Sequence, residues 1–189
     1  MRTRRNALAL ALAAMVVLSV AGCVQPPTHV IPTSEPSSKP VFASNAAALA
    51  AAKKAYVGYL AASDAISQDG GKNPQRISPW VTKDRAAIEI KQFAGIAKTG
   101  DHIDGSSSFS IFRLQQLTQS PAGHVELSAY VCDVVSNSRI IDRSGSDVTP
   151  STRQDVIPIE VDFQNVKTGA RSFLVEGSTP WSGTNFCSE

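Results

Sequence analysis

Apolar residues recur at helical spacing from Leu49 onward, through Ala52, Tyr56, Tyr59, Leu60 and Ser63, while Lys53 and Lys54 fall on another face. This pattern predicts a first helix capped by Ser44 or Asn45 and running to about Ser67, where Asp69-Gly70-Gly71 ends it. Lys72 to Pro79 reads as a loop with a short turn leading into Trp80. Thr82 then caps a second helix in which Ala86, Ile90, Phe93 and Ala97 recur at packing positions, and Gly100 stops it.

After Asp104-Gly105 the period changes from 3.6 to 2. Phe109 and Ile111 alternate, then Phe112 and Leu114 take the opposite phase, which predicts a bulge or strong bend. Val125, Leu127, Ala129 and Val131 alternate against His124, Glu126, Ser128, Tyr130 and Cys132, a strand with one buried face. A short strand is expected near Arg139 to Asp142, followed by a polar loop from Arg143 to Asp155. Ile157, Ile159, Val161 and Phe163 alternate cleanly, and a turn at Lys167-Thr168-Gly169 returns the chain as a hairpin partner over Arg171 to Glu176. Two or three helices followed by four or five antiparallel strands make an α+β fold, with N-terminal helices packed on one face of a bent antiparallel sheet.

The segments before Ser44 have a different character. Arg2, Arg4 and Arg5 precede an uncharged apolar run from Ala7 to Val20, the pattern of a secretory leader too short to span a bilayer. Val20-Ala21-Gly22-Cys23 resembles the bacterial lipobox. That resemblance implies removal of residues 1–22, lipid on Cys23, and a mature protein held on the extracytoplasmic face of the cell membrane. Two acyl chains matter physically, because one chain anchors only marginally. From Val24 to Ala43 the chain is rich in Pro, Ser and Thr, and residues 23–43 read as a lipidated, disordered stalk ahead of a domain at 44–189.

Composition changes the picture in two places. Losing Arg2, Arg4 and Arg5 leaves fifteen basic residues against sixteen acidic ones, so the formal charge moves from +2 to −1. No Lys/Arg stripe or stacking platform remains that would suggest nucleic acid as a partner. With Cys23 assigned to lipid, Cys132 and Cys187 are the remaining thiols, and outside the cytoplasm they are expected to pair. Such a bridge closes a loop of about 56 residues.

Ala55-Tyr56-Val57-Gly58-Tyr59-Leu60-Ala61-Ala62-Ser63-Asp64, with Trp80-Val81-Thr82 downstream, is similar to the opening of NTF2-like domains, the superfamily of ketosteroid isomerases and polyketide cyclases. The later half, including Cys132 and Trp181-Ser182-Gly183-Thr184-Asn185-Phe186-Cys187, resembles a group of actinobacterial lipoproteins. The NTF2-like resemblance implies a cone-shaped sheet wrapped on helices around a pocket, with Tyr56, Tyr59, Asp64 and Trp80 as candidate pocket residues. In ketosteroid isomerases the tyrosine matching Tyr56 donates to a developing oxyanion. The base-bearing early strand pair of that family has no counterpart here, and Asp64 matches a structural position. The competing expectation is that Tyr56 and Tyr59 are core residues with hydroxyls at the pocket edge.

Other chemistry is sparse. Asp101-His102-Ile103-Asp104-Gly105 clusters His with carboxylates but lacks a second histidine at fixed offset, so it reads as a solvated turn and no metal is expected. No G-x-S-x-G elbow and no phosphate-binding glycine loop occurs, and no cofactor is implied. Asp133, Asp142, Asp147, Asp155, Arg139, Arg143 and Arg153 read as solvated loop charges, with Trp80 and Trp181 as candidate interface anchors. The functional expectation is a non-catalytic binding or interaction module that engages a small apolar ligand or an envelope protein. Two alternatives remain: an NTF2-like enzyme acting on a small hydrophobic substrate, and a phage-type surface lipoprotein that blocks passage through the envelope.

Overall fold

Helical periodicity and capping chemistry settle residues 45–99. The computed structural model describes residues 39–188, which belong to one compact unit. The expected leader, Cys23 and most of the expected stalk lie outside the described residues. Helix α1 spans Asn45–Gln68, and the Ser44 side chain accepts a hydrogen bond from the Ala47 amide at 3.2 Å. A 3-10 turn at Pro74–Ile77 follows, and Thr82 caps α2, Lys83–Thr99, which Gly100 closes in the left-handed conformation. The buried stripe of α1 is Ala48, Ala52, Ala55, Tyr56 and Ile66, so small residues bring its backbone close to the sheet. Leu49 is only half-buried and Ala97 of α2 is exposed, whereas Glu89 takes a buried place between Ala86 and Phe93.

Six strands follow: β1 (His102–Gly105), β2 (Ser108–Gln119), β3 (Val125–Val134), β4 (Ser138–Ile141), β5 (Val156–Asn165) and β6 (Phe173–Pro180). β2, β3, β5 and β6 form an antiparallel sheet in the order β2-β3-β5-β6, and β1 pairs with β4 in a separate two-stranded ribbon. The Asp101–Gly105 segment is therefore not a free turn; four of its residues are a strand whose pairing with residues 138–141 satisfies the backbone. The sheet stays open and does not close into a barrel.

β2 carries two register shifts against β3, between Phe109 and Phe112 and between Leu114 and Gln116. Each inserts one extra residue, so Phe109, Phe112, Leu114 and Leu117 all pack against the core despite uneven spacing. The first shift is the expected phase change; the second lies under an ordinary-looking run of Gln and Leu. The core forms where Val125, Leu127, Ala129 and Val131 of β3 meet Val161 and Phe163 of β5, Phe173 and Val175 of β6, and the alanine stripe of α1.

The domain begins earlier than composition suggests. Phe42, expected in the stalk, is 4% exposed and stacks on Phe173 with ring centroids 5.2 Å apart. Its amide donates to Gln119 Oε1 at 2.8 Å and its carbonyl accepts from Gln119 Nε2 at 3.2 Å, adding the segment to the end of β2. The proline-rich context masks an aromatic anchor whose hydrogen-bond partner lies 77 residues away and whose stacking partner is farther still. Truncating a buried phenylalanine costs about 3 kcal/mol or more. Phe42→Ala is expected to lower the urea unfolding free energy by about that amount; an unchanged midpoint would place Phe42 outside the folded domain.

Candidate functional site

Strand parity decides the position of the first polar group. Asp133 continues the inward series Val125, Leu127, Ala129 and Val131, which turns it from a solvated charge into a residue beneath the helices. Tyr56, 1% exposed on α1, donates its hydroxyl to Asp133 Oδ1 at 2.6 Å. Burial, opposed in part by that hydrogen bond, raises the Asp133 carboxyl above its ordinary range, and the nearby Asp64 charge raises it further. The Tyr56 phenol is pushed well above its usual pKa by burial and then by the Asp133 charge, so it stays protonated and acts as the donor.

A second phenol–carboxylate pair stands one turn further along α1. Tyr59 donates to Glu89 Oε1 at 2.9 Å, and Arg85 Nε donates to the same oxygen at 2.6 Å. Arg85 also reaches Ser178 Oγ of β6 at 3.3 Å. Glu89 Oε2 has no hydrogen-bond partner among the described residues. The Tyr56 and Tyr59 rings are 5.7 Å apart, and Tyr56 also meets Phe109, Phe112 and Phe163. This aromatic and carboxylate cluster fills the space between helices and sheet.

The candidate pocket residues thus part company. Tyr56 and Tyr59 are core, with hydroxyls spent on Asp133 and Glu89. Trp80 is partly exposed and lies flat on Gly58, where an added Cβ would fall 1.9 Å from the indole ring. Asp64 alone of the four lines a groove, of about 490 Å³, along the outer flank of α1. Val57, Leu60, Ala61 and Ala65 supply one wall, Phe109 the other, and Gln68 with Ser106, Ser107 and Ser108 the polar end. The Ser107 amide and hydroxyl both donate to the Asp64 carboxylate at 2.9 Å, which ties α1 to the segment entering β2.

On the opposite face of the sheet the C-terminal segment covers Tyr130 and Cys132. Cys132 and Cys187 form a disulfide with Cα atoms 5.7 Å apart, as expected. Tyr130 packs against Trp181 at 5.1 Å and Phe186 at 5.2 Å, so Trp181 is engaged within the domain. Arg153 is likewise not a solvated charge: its guanidinium donates to the carbonyls of Val135 and Ser138, both at 2.9 Å.

Among the described residues no cluster of three or more His, Cys, Asp or Glu side chains is placed to hold a metal ion. His102 is held in β1 and His124 is exposed. No helix of the described residues is long and apolar enough to cross a membrane.

Sequence reading misplaced Asp133 as a solvated loop charge and passed over Glu89 and Arg85. Two carried a signal: Asp133 has the parity of a buried strand face, and Glu89 sits three residues after Ala86 and four before Phe93 on the packed side of α2.

No protein-family model matches the chain, and no curated protein matches it in sequence. Among solved structures, the crystal structure of the intermembrane space region of the chloroplast protein ARC6 is similar, with a TM-score of 0.51 at 9% identity over 70% of this chain and 95% of that one. At that identity the likeness is one of fold.

Proposed function

We propose that the chain is an exported lipoprotein, anchored through Cys23 to the extracytoplasmic face of the membrane, whose domain is a non-catalytic binding module with an NTF2-like arrangement of helices on a bent sheet. Its ligand is a small molecule whose apolar body is held in the groove along α1. The groove carries this reading: its volume of about 490 Å³ lies in the range of small-molecule sites, and its long walls are apolar while its polar groups gather at one end. Tyr56 supports a binding role over an enzymatic one, because its ring is enclosed, its hydroxyl is held by Asp133, and it does not line the groove.

Calorimetric titration with 4-phenylbutanol, a small neutral apolar probe, tests the groove. Binding is expected, and Ala61→Trp, which fills the groove from an exposed helix position, is expected to weaken it at least tenfold without lowering thermal stability. An affinity unchanged by Ala61→Trp would remove the groove as the site. Metabolic labelling with a fatty-acid analogue tests the anchor separately: wild type is expected to label and Cys23→Ala to remain unlabelled.

A further inference from the structure

The charge in the groove has one sign. Asp64 is the charged side chain among its lining residues, and each of its oxygens accepts one hydrogen bond from Ser107 and keeps a lone pair for a further donor. Asp133 stands close enough for the two carboxylates to feel each other, and it is paired with a neutral phenol rather than a cation. The neighbouring acid Asp69 is already matched by Arg76 at 2.5 Å. Two basic groups flank the groove without lining it: the Lys53 ammonium is 5.5 Å from the centroid of the Phe109 ring, and Arg76, already paired with Asp69, donates to the Ala65 carbonyl at 3.4 Å. Lys53 is eleven positions before Asp64 on α1, so about 16 Å of helix rise separates their backbones.

From this we infer that the ligand is a cationic amphiphile, with an ammonium group at Asp64 and an apolar body laid along Val57, Leu60, Ala61 and Phe109. A protonated amine supplies the donors that the spare lone pairs of Asp64 accept, and its charge offsets the Asp64 carboxylate, which no basic lining residue neutralises. The apolar wall requires an uncharged body, and a compact ammonium ion alone leaves that wall wet. An anionic head at the same end meets Asp64 and is repelled.

This inference rests on the groove being the binding site, and matched probes separate the two. The full chain in nanodiscs of zwitterionic lipid is titrated calorimetrically with 4-phenylbutylammonium, 4-phenylbutanol and 4-phenylbutanoate, with empty nanodiscs as the blank. The ammonium probe is expected to bind at least tenfold more tightly than the alcohol, and the carboxylate more weakly than either. Asp64→Asn is expected to bring the ammonium probe to the level of the alcohol. Because Asp64 also holds Ser107, Gln68→Lys provides a second variant at an exposed lining position, expected to weaken the ammonium probe several-fold and leave the alcohol unchanged. If the three probes bind alike, or the carboxylate binds best, and Ala61→Trp abolishes all of them, the groove stands and the cationic assignment is overturned. If none binds above the blank, or Ala61→Trp changes nothing, both are overturned.

Discussion

Replacing Cys132 and Cys187 together by alanine is expected to lower the midpoint of thermal unfolding by roughly 10 °C. The bridge joins residues 55 apart in sequence, and closing a loop of that length restricts the unfolded chain by about 4 kcal/mol in the entropy model. For a domain of this size each kcal/mol is worth about 2–4 °C. The fold around the bridge says where the loss appears first. Residues beyond β6 reach the outer face of the sheet through the Trp181 amide on the Pro158 carbonyl, and Trp181 and Phe186 cover Tyr130. Without the covalent tie the ring contacts of this short segment with the sheet are two, both to Tyr130, and its backbone bonds are few, so its amides are expected to exchange well before the sheet opens. Reducing the wild-type protein should reproduce both effects; a double variant with an unchanged midpoint would show that the tail is fastened by packing alone.

Arg85→Ala is expected to cost about 3–5 kcal/mol, as much as a large core truncation. Glu89 is 3% exposed and its carboxylate depends on Arg85 Nε at 2.6 Å and the Tyr59 hydroxyl at 2.9 Å. Removing the guanidinium leaves a buried carboxylate with one neutral donor and one oxygen already lacking a partner. The penalty comes from the stranded charge more than from the lost ion pair, and that distinction is measurable. Replacing the whole group by apolar residues of similar size, Arg85→Met with Glu89→Leu and Tyr59→Phe, is expected to recover most of the lost stability. Urea unfolding of the single and combined variants gives the comparison. A triple variant as unstable as Arg85→Ala would mean that the pair itself, rather than the isolated charge, carries the energy.

Much of the fold can be read along the chain because its signals are local. Ser44 and Thr82 cap their helices, Gly100 ends α2, and the alternation on β3 and β5 appears in the strands themselves. Even the first bulge of β2 shows, since a change of phase between Ile111 and Phe112 has no other simple cause in a strand. The site was less legible. Among the candidate residues, Asp64 reached the groove through its bond to Ser107, 43 positions away, while Tyr56, Tyr59 and Trp80 went to the core or to the α1 surface. Asp133 and Glu89 were readable as positions on buried faces, but their partners were not, because a parity or a helical spacing assigns a face without naming what stands opposite.

The sequence by itself determined the two long helices and their caps, the four strands of the main sheet, the α+β order and the expectation that Cys132 pairs with Cys187. These follow from interactions within a few residues or from the count of available thiols. Only the tertiary structure decided that Phe42 belongs to the core, that residues 102–105 form a strand with residues 138–141, and that two phenols are committed to two carboxylates. Tyr56 and Asp133 are 77 positions apart, as are Phe42 and Gln119. Contacts of that span form only after loops have closed and the helices have met the sheet, so no local pattern can contain them. The groove beside α1 arises in the same way, as the space left between a helix wall and a strand entrance once both have been placed.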